Sequence, residues 1–165
     1  MIFVTVGAQM PFDRLVKTVD QWASDRGRSD VFAQIGPTDY RPSKIQWTNI
    51  LGPEEFKRRF EAAKVIVAHA GTGSIITALQ LGKPILVMPR RASLRETRND
   101  HQVATAEQFR RFGSVVVAWD EKELVSRLGE IEALEGLQAV GSYASPELVD
   151  AIRSFIDGAD TRPRV

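Results

Sequence analysis

Short apolar runs alternate with segments of helical periodicity along most of the chain. Residues 2–6 are apolar or β-branched and end at Gly7, which is typical of a buried strand. Apolar residues then recur at helical spacing from Phe12, and Gly27 ends that helix. The predicted strands are residues 2–6, 31–35, 45–51, 64–68, 84–88 and 114–119, and the later predicted helices are residues 54–63, 74–81, 100–112, 121–134 and 145–156.

This alternation predicts an α/β fold with a doubly wound parallel sheet, because strands buried on both faces need helices on both sides. Ligands of such sheets bind beyond the carboxyl ends of the strands, where the strand order reverses. The loops expected at that edge are residues 7–11, 51–53, 69–74 and 89–99. We expect residues 1–157 to form one domain and residues 158–165 to form a flexible tail.

The composition excludes several classes of function. The 165 residues carry a net charge of +1, so no bulk attraction favours nucleic acid or an anionic membrane. Cysteine is absent and only two histidines are present, which excludes disulfides and thiolate metal sites and leaves too few ligands for a histidine-rich zinc site. No apolar run is long enough to span a membrane and no signal peptide is recognisable, so we expect a cytoplasmic protein.

The strongest local signal is the segment of residues 68–74, AHAGTGS, where the fourth strand meets a helix. Gly71 and Gly73 permit close backbone approach, and the free N–H groups of a helix start bind anions. Thr72 and Ser74 add hydroxyls and His69 adds an imidazole, so the segment is suited to hold a diphosphate. The alternative is that Thr72 or Ser74 caps the helix and the glycines only form the turn.

Two other nucleotide-binding motifs are absent. A dinucleotide fingerprint that starts at Gly71 requires glycine at position 76, which is isoleucine. A P-loop ending at Lys83 requires glycine at position 77 and a hydroxyl residue at position 84, which are threonine and proline. The chain therefore has neither an NAD nor an ATP fingerprint.

Three segments together resemble a known family. Residues 66–74 (IVAHAGTGS), 78–85 (ALQLGKPI) and 99–102 (NDHQ) resemble the C-terminal domain of glycosyltransferase family 28, which binds UDP-sugars. With residues 4–7 (VTVG) and 88–91 (MPRR), the chain is similar to the stand-alone PssE-type subunits and to the catalytic subunit of the dolichol-linked UDP-GlcNAc transferase. The resemblance implies the Rossmann-like, C-terminal half of a GT-B glycosyltransferase.

The resemblance also implies a role for each matching residue. Leu51 and Gly52 match the stretch whose backbone reads uracil, and Thr77 lies where relatives carry a glutamate that binds the ribose. A threonine hydroxyl cannot clamp two ribose hydroxyls as a carboxylate does, so ribose contact is expected to be weaker or supplied elsewhere, unless Thr77 is only a helix-surface residue. The residues expected at the diphosphate are Gly7, Ala8, Gln9, His69, Gly71, Thr72, Gly73 and Ser74.

Asp100, His101 and Gln102 match the segment that hydrogen-bonds the donor sugar. The alternatives are that Asp100 caps a helix and that Gln102 is a solvated helix residue. The loop of residues 89–99 is rich in arginine, which either neutralises the departing UDP, meets an acidic partner, or forms a solvated basic loop paired with Glu96. The arginines concerned are Arg90, Arg91, Arg95 and Arg98.

A mechanism in two polypeptides follows from the resemblance. A helix dipole, backbone N–H groups and hydroxyls stabilise departing UDP without metal, and the chain has no Asp-X-Asp pair, so we expect neither a metal nor another cofactor. The catalytic base of GT-B enzymes usually belongs to the acceptor-binding domain, so no catalytic residue is assigned in this chain. The implied partner is a PssD-like, membrane-anchored subunit that recruits the chain to the cytoplasmic face and binds a lipid-linked saccharide acceptor.

Two other functions stay open, a non-catalytic nucleotide-sugar-binding regulatory module and a GT-B-type nucleotide-sugar epimerase, for which the chain is short. For the partner, the predicted dock is the arginine loop with the helix of residues 145–156, where Leu148, Ile152 and Phe155 share one face. The alternative is that this apolar face packs on the chain's own sheet.

Overall fold

The computed structural model describes residues 1–111 and 115–131, together with positions 150 and 153. Strands and helices alternate through these residues as predicted. A short 3-10 turn, Ala92–Leu94, interrupts the arginine loop. The elements are β1 (Ile2–Thr5), α1 (Asp13–Asp25), β2 (Val31–Gln34), β3 (Gln46–Thr48), α2 (Pro53–Ala62), β4 (Val65–His69), α3 (Thr72–Gln80), β5 (Ile85–Met88), α4 (His101–Arg111), β6 (Val116–Val117) and α5 (Glu121–Gly129).

The strands form one six-stranded sheet in the order β3-β2-β1-β4-β5-β6, and each neighbouring pair is parallel. β1 pairs with β2 on one side and with β4 on the other, in a register that places Thr5 beside Gln34 and Ala68. The chain thus leaves β1 toward one edge and returns to its other side, so the strand order reverses between β1 and β4. The predicted doubly wound α/β fold is confirmed.

Side chains of alternating strand positions pack into a core on each face of the sheet. Val4 of β1 joins the cluster that α1 and α5 cover, whereas Phe3 joins the cluster under α2, α3 and α4. The Phe3 ring meets those of Phe56 and Phe60 edge-on, at centroid distances of 5.5 and 6.0 Å. Fully burying one such side chain stabilises the fold by roughly 1.5–3 kcal/mol. These two cores are why the strands read as continuous apolar runs in the sequence.

The element boundaries differ from the predicted ones mainly around the loops of the carboxyl edge. The third strand is shorter than residues 45–51, because Ile50 and Leu51 already belong to the loop that leads into α2. α3 begins at Thr72 rather than at Ser74, because the extended backbone of Gly71 already caps it. The predicted helix of residues 145–156 lies outside the described residues except for positions 150 and 153, as do residues 132–134 and the predicted tail.

Within residues 1–111 and 115–131, none of the helices combines the length and apolar character needed to cross a bilayer. The longest of these helices, α1, has 13 residues and carries polar side chains on one face.

Candidate functional site

The turns that follow β1 and β4 meet at the carboxyl edge, where the strand order reverses. Gly7 ends β1 with a φ of 77°, a conformation that favours glycine. The ring of His69 fills the space between Gly7 and Gly71: a Cβ added to Gly7 would lie 3.1 Å from His69 Cε1, and one added to Gly71 would overlap His69 Nε2. Both glycines therefore make room for the imidazole.

The His69 imidazole is half-buried and neutral at neutral pH. Its Nδ1 lies 3.4 Å from the carbonyl oxygen of Thr5. The pKa of His69 is lowered to about 4: burial is the main cause, the charges of Arg90 and His101 add to it, and the contact with Thr5 opposes them. The tautomer that donates Nδ1–H to Thr5 leaves Nε2 unprotonated, so the free protein does not present an imidazolium to an anion.

Helix α3 starts without a side-chain cap. The carbonyl of Gly71 accepts the Ile75 N–H at 3.2 Å, but no side chain among the described residues accepts from the N–H groups of the first turn. The alternative that Thr72 or Ser74 caps the helix is therefore wrong. The N–H groups of Thr72, Gly73 and Ser74 have no partner within the described residues, and neither do the hydroxyls of Thr72 and Ser74. Together these donors form an open anion-binding helix start.

The β1–α1 turn brings a second set of backbone donors to the same edge. The Gly7 N–H donates to Thr5 Oγ1 at 3.2 Å, which fixes the direction of the turn. Ala8 and Gln9 follow and are exposed. The Arg90 guanidinium stabilises this turn by donating to the carbonyls of Val6 and Met10, at 2.8 and 2.7 Å.

The loop expected at uracil is partly engaged by the protein itself. The Leu51 N–H donates to Oε1 of Gln34 at 3.1 Å, and Gln34 is buried at the end of β2. The carbonyl of Leu51 and the N–H of Gly52 make no hydrogen bond within the part of the chain that the structure describes. Gln34 was not predicted as a site residue, although a polar residue ending an apolar strand was a usable signal.

Thr77 lies one turn along α3 from the glycine segment. Its hydroxyl donates to the carbonyl of Gly73 at 2.8 Å, which is the usual bond of a threonine inside a helix. The oxygen keeps only its acceptor capacity for a ribose hydroxyl.

The three residues predicted to contact the donor sugar lie at the start of α4, where each has different surroundings. The Asp100 carboxylate accepts the Ala92 N–H at 2.8 Å and does not cap α4, while exposed His101 contacts the side chain of Asn99. Gln102 is only 5% exposed, so the prediction of a solvated helix residue is wrong. Its Oε1 accepts the Arg90 N–H at 3.2 Å, and its amide NH₂ has no partner among the described residues.

The arginine loop is not a uniformly solvated basic segment. Arg90 is 4% exposed, and Arg91 is half-buried and donates to the carbonyl of Trp119 at 2.7 Å. Burial lowers the pKa of Arg90 and the charge of Glu96 opposes this, but the direct partners of Glu96 are Arg14 of α1, at 2.6 Å, and the Arg91 N–H. Only the exposed members, Arg95 and Arg98, keep the solvated character that was predicted.

No group of three or more His, Cys, Asp or Glu side chains suited to a metal ion is present among the described residues. The structure leaves the catalytic base unassigned. What it brings together at the switch point is a set of backbone N–H groups, hydroxyls and one neutral imidazole, with the Arg90 charge behind them.

The family model of the glycosyltransferase family 28 C-terminal domain matches residues 1–135. The chain is 25% identical over 148 residues to the UDP-N-acetylglucosamine transferase subunit ALG13 of Yarrowia lipolytica, covering 82% of this chain and 71% of that protein. It is 28% identical over 121 residues to the Mus musculus protein of the same name, covering 67% of this chain but 10% of the relative.

Among solved structures, an NMR structure of ALG13 superposes with a TM-score of 0.60 at 20% identity, over 86% of this chain and 90% of that one. At this identity the likeness shows a shared fold.

Proposed function

The chain belongs to the glycosyltransferase family 28 C-terminal domain family, and from this membership we propose that it is the UDP-sugar-binding subunit of a two-component GT-B glycosyltransferase. The observation that carries the proposal is the uncapped start of α3, which offers the N–H groups of Thr72, Gly73 and Ser74 beside the Gly7 turn. A diphosphate needs several donors and no carboxylate nearby, and this edge offers that combination.

The groups at this edge support donor binding and stabilisation of departing UDP. Helix dipole and backbone donors stabilise negative charge that develops on a leaving diphosphate. His69 lies against the Gly71 turn beside the proposed phosphates, so we do not assign it as the base for an acceptor hydroxyl. We therefore assign the base to a second polypeptide, a PssD-like membrane-anchored subunit that binds a lipid-linked saccharide.

The names of the two relatives suggest which class of sugar donor this chain binds. Both relatives named above are subunits of a UDP-N-acetylglucosamine transferase. We propose a UDP-hexose or UDP-N-acetylhexosamine as donor and a role in exopolysaccharide synthesis. A non-catalytic regulatory module with the same site remains the alternative, and activity that emerges only with the partner distinguishes the two.

The deciding experiment is a calorimetric titration of the purified chain with UDP, in the presence and absence of EDTA, followed by a transfer assay with membranes that contain the co-expressed partner. We expect saturable binding that survives EDTA and transfer that requires the partner. Absence of binding at millimolar UDP, or binding that needs a metal, contradicts the proposal.

Gln102→Glu is expected to separate sugar recognition from nucleotide binding. The carboxylate keeps an oxygen to accept the Arg90 N–H but loses the NH₂ donor proposed for the sugar. The new carboxylate beside Arg90 should also weaken UDP binding, but transfer from a UDP-sugar should fall about tenfold further. The matched control is Gln102→Ala, which also deprives the buried Arg90 N–H of its acceptor and should lower thermal stability. Equal losses for UDP and UDP-sugar with Gln102→Glu would show that the amide does not read the sugar.

His69 is expected to take up a proton when a nucleotide sugar binds. In the free protein its pKa of about 4 lies below the ordinary 6.5, so its ring resonances should titrate near pH 4. Between these values the unfolded chain binds more protons, so this residue's contribution to stability is complete above pH 6.5 and is lost as the pH falls toward 4. A diphosphate next to the ring should raise the pKa of His69, because a nearby negative charge favours the imidazolium.

The affinity for UDP-N-acetylglucosamine should therefore rise as the pH falls from 7 toward 5, and His69→Gln should remove that dependence. A UDP-sugar is the suitable probe, since the terminal phosphate of UDP itself titrates near pH 6. If the wild-type affinity for UDP-N-acetylglucosamine does not change with pH, His69 does not lie next to the phosphates.

A further inference from the structure

Arg90 connects its own loop with two other segments that the proposed site requires, one through its side chain and one through its backbone. Its Nη2 donates to the carbonyl of Val6 at 2.8 Å and to that of Met10 at 2.7 Å, which are the two ends of the turn carrying Gly7, Ala8 and Gln9. The backbone N–H of Arg90 donates to Oε1 of Gln102 at the start of α4.

Burying a guanidinium at this position costs free energy. Arg90 is only 4% exposed, and its Nε is buried without a hydrogen-bond partner. Among the described residues no carboxylate forms a salt bridge with it, since Glu96 pairs with Arg14 instead. Its ring neighbour is Phe12, whose centroid lies 5.0 Å from Cζ. Buried charges in proteins are normally paired, so a guanidinium held here without a counter-ion needs a reason.

The charge acts on the edge where the anion is proposed to bind. The charge of Arg90 adds to the effect of burial, which keeps the His69 imidazole neutral, and the His69 ring lies against the turn whose carbonyls Arg90 binds. Burial lowers the pKa of Arg90 to about 10, which leaves it charged at neutral pH. An unpaired positive charge behind open backbone donors attracts an anion that occupies them.

We propose that Arg90 is a positioning residue of the donor site: it holds the turn of residues 6–10 against His69 and supplies a buried positive charge, without a salt bridge of its own, that the diphosphate neutralises. This inference rests on the proposed function, because it assumes that a diphosphate binds beside Gly7. It differs from a direct contact with the leaving group, since the Nη2 donors are already engaged by the carbonyls of Val6 and Met10.

Adjacent Arg91 provides a matched control. It leaves the same strand end, is half-buried and also has a buried Nε without a partner, but it donates to Trp119 beyond β6 and not to the β1–α1 turn. Substitutions at the two positions remove similar groups from similar surroundings. Only those at Arg90 should reach the proposed site.

The experiment compares Arg90→Gln, Arg90→Lys and Arg91→Gln with the wild-type chain, by UDP titration and by NMR titration of the His69 ring. We expect Arg90→Gln to raise the Kd for UDP by tenfold or more and to raise the pH at which His69 titrates in the free protein. Arg90→Lys keeps the charge on a side chain that is one bond shorter, so its ammonium group should reach the carbonyls of Val6 and Met10 less well and UDP binding should weaken, while His69 still titrates at low pH. Arg91→Gln should change neither quantity.

Wild-type UDP binding together with unchanged affinity in Arg90→Gln overturns this inference and leaves the proposed function standing. An equal loss in Arg91→Gln also overturns it, since the effect would then be general loosening of the loop. If Arg90→Gln does not fold, Arg90→Lys decides by the same two measurements. Absence of UDP binding in the wild-type chain overturns the proposed function and, with it, the role assigned to Arg90.

Discussion

Replacing Asp20 by alanine is expected to lower the free energy of unfolding by about 3 kcal/mol or more. The carboxylate is 4% exposed and lies on the buried side of α1. It accepts the Tyr40 hydroxyl at 2.9 Å and three backbone N–H groups at 2.9–3.1 Å, so alanine leaves one buried and three part-buried donors without this partner. Those N–H groups belong to Ser43, Lys44 and Ile45, which lead into β3.

Chemical denaturation measures this loss, and Asp20→Asn is its matched control. An amide keeps one acceptor oxygen, so asparagine should retain part of the stability that alanine loses. Burial raises the pKa of Asp20, but the hydrogen bonds outweigh it and hold the pKa below the ordinary 3.8. The stabilisation is therefore present above pH 3.8 and is lost as the pH falls through the lower folded value. Wild-type stability in Asp20→Ala would mean that the loop into β3 does not depend on this carboxylate.

The fold was predictable because its determinants are local and repeated. Residues 2–6 and 65–68 are apolar at consecutive positions, which only a strand covered on both faces requires. Glycines at positions 27 and 82 have positive φ and end helices where the pattern predicted. Boundaries were less predictable, because Gly71 caps α3 with its backbone and leaves no side-chain signal.

The predicted site residues lie on the loops expected at the carboxyl edge, but their hydrogen-bond partners were not predictable. Arg90 bonds to Val6 across 84 positions of sequence, and Leu51 bonds to Gln34 across 17. Such pairs form only because the sheet brings strand ends together, and neither residue type requires them. For the same reason the arginines of residues 89–99 looked alike in the sequence, although Arg90 is buried and Arg95 is exposed.

Replacing Gly71 by alanine is expected to abolish UDP binding, whereas the same change at Gly73 should weaken it without harming the fold. A methyl group at position 71 overlaps His69 Nε2, so the imidazole must leave its place beside Gly7 and Thr5. We expect Gly71→Ala to lower the free energy of unfolding by about 1–3 kcal/mol, the usual cost of overpacking. At position 73 nothing lies within 4 Å of the added methyl, and alanine is the better helix former.

A loss of UDP affinity in Gly73→Ala would therefore come from a clash with the ligand and not from damage to the protein. We expect the Kd for UDP to rise about tenfold, because the methyl crowds an approaching phosphate. Calorimetry with UDP measures both variants, and thermal unfolding shows which of them is damaged. The double variant Gly71→Ala with His69→Ala removes the ring that the methyl meets, so it should recover much of the lost stability but not the affinity. Wild-type UDP binding by Gly73→Ala would show that no phosphate approaches the start of α3.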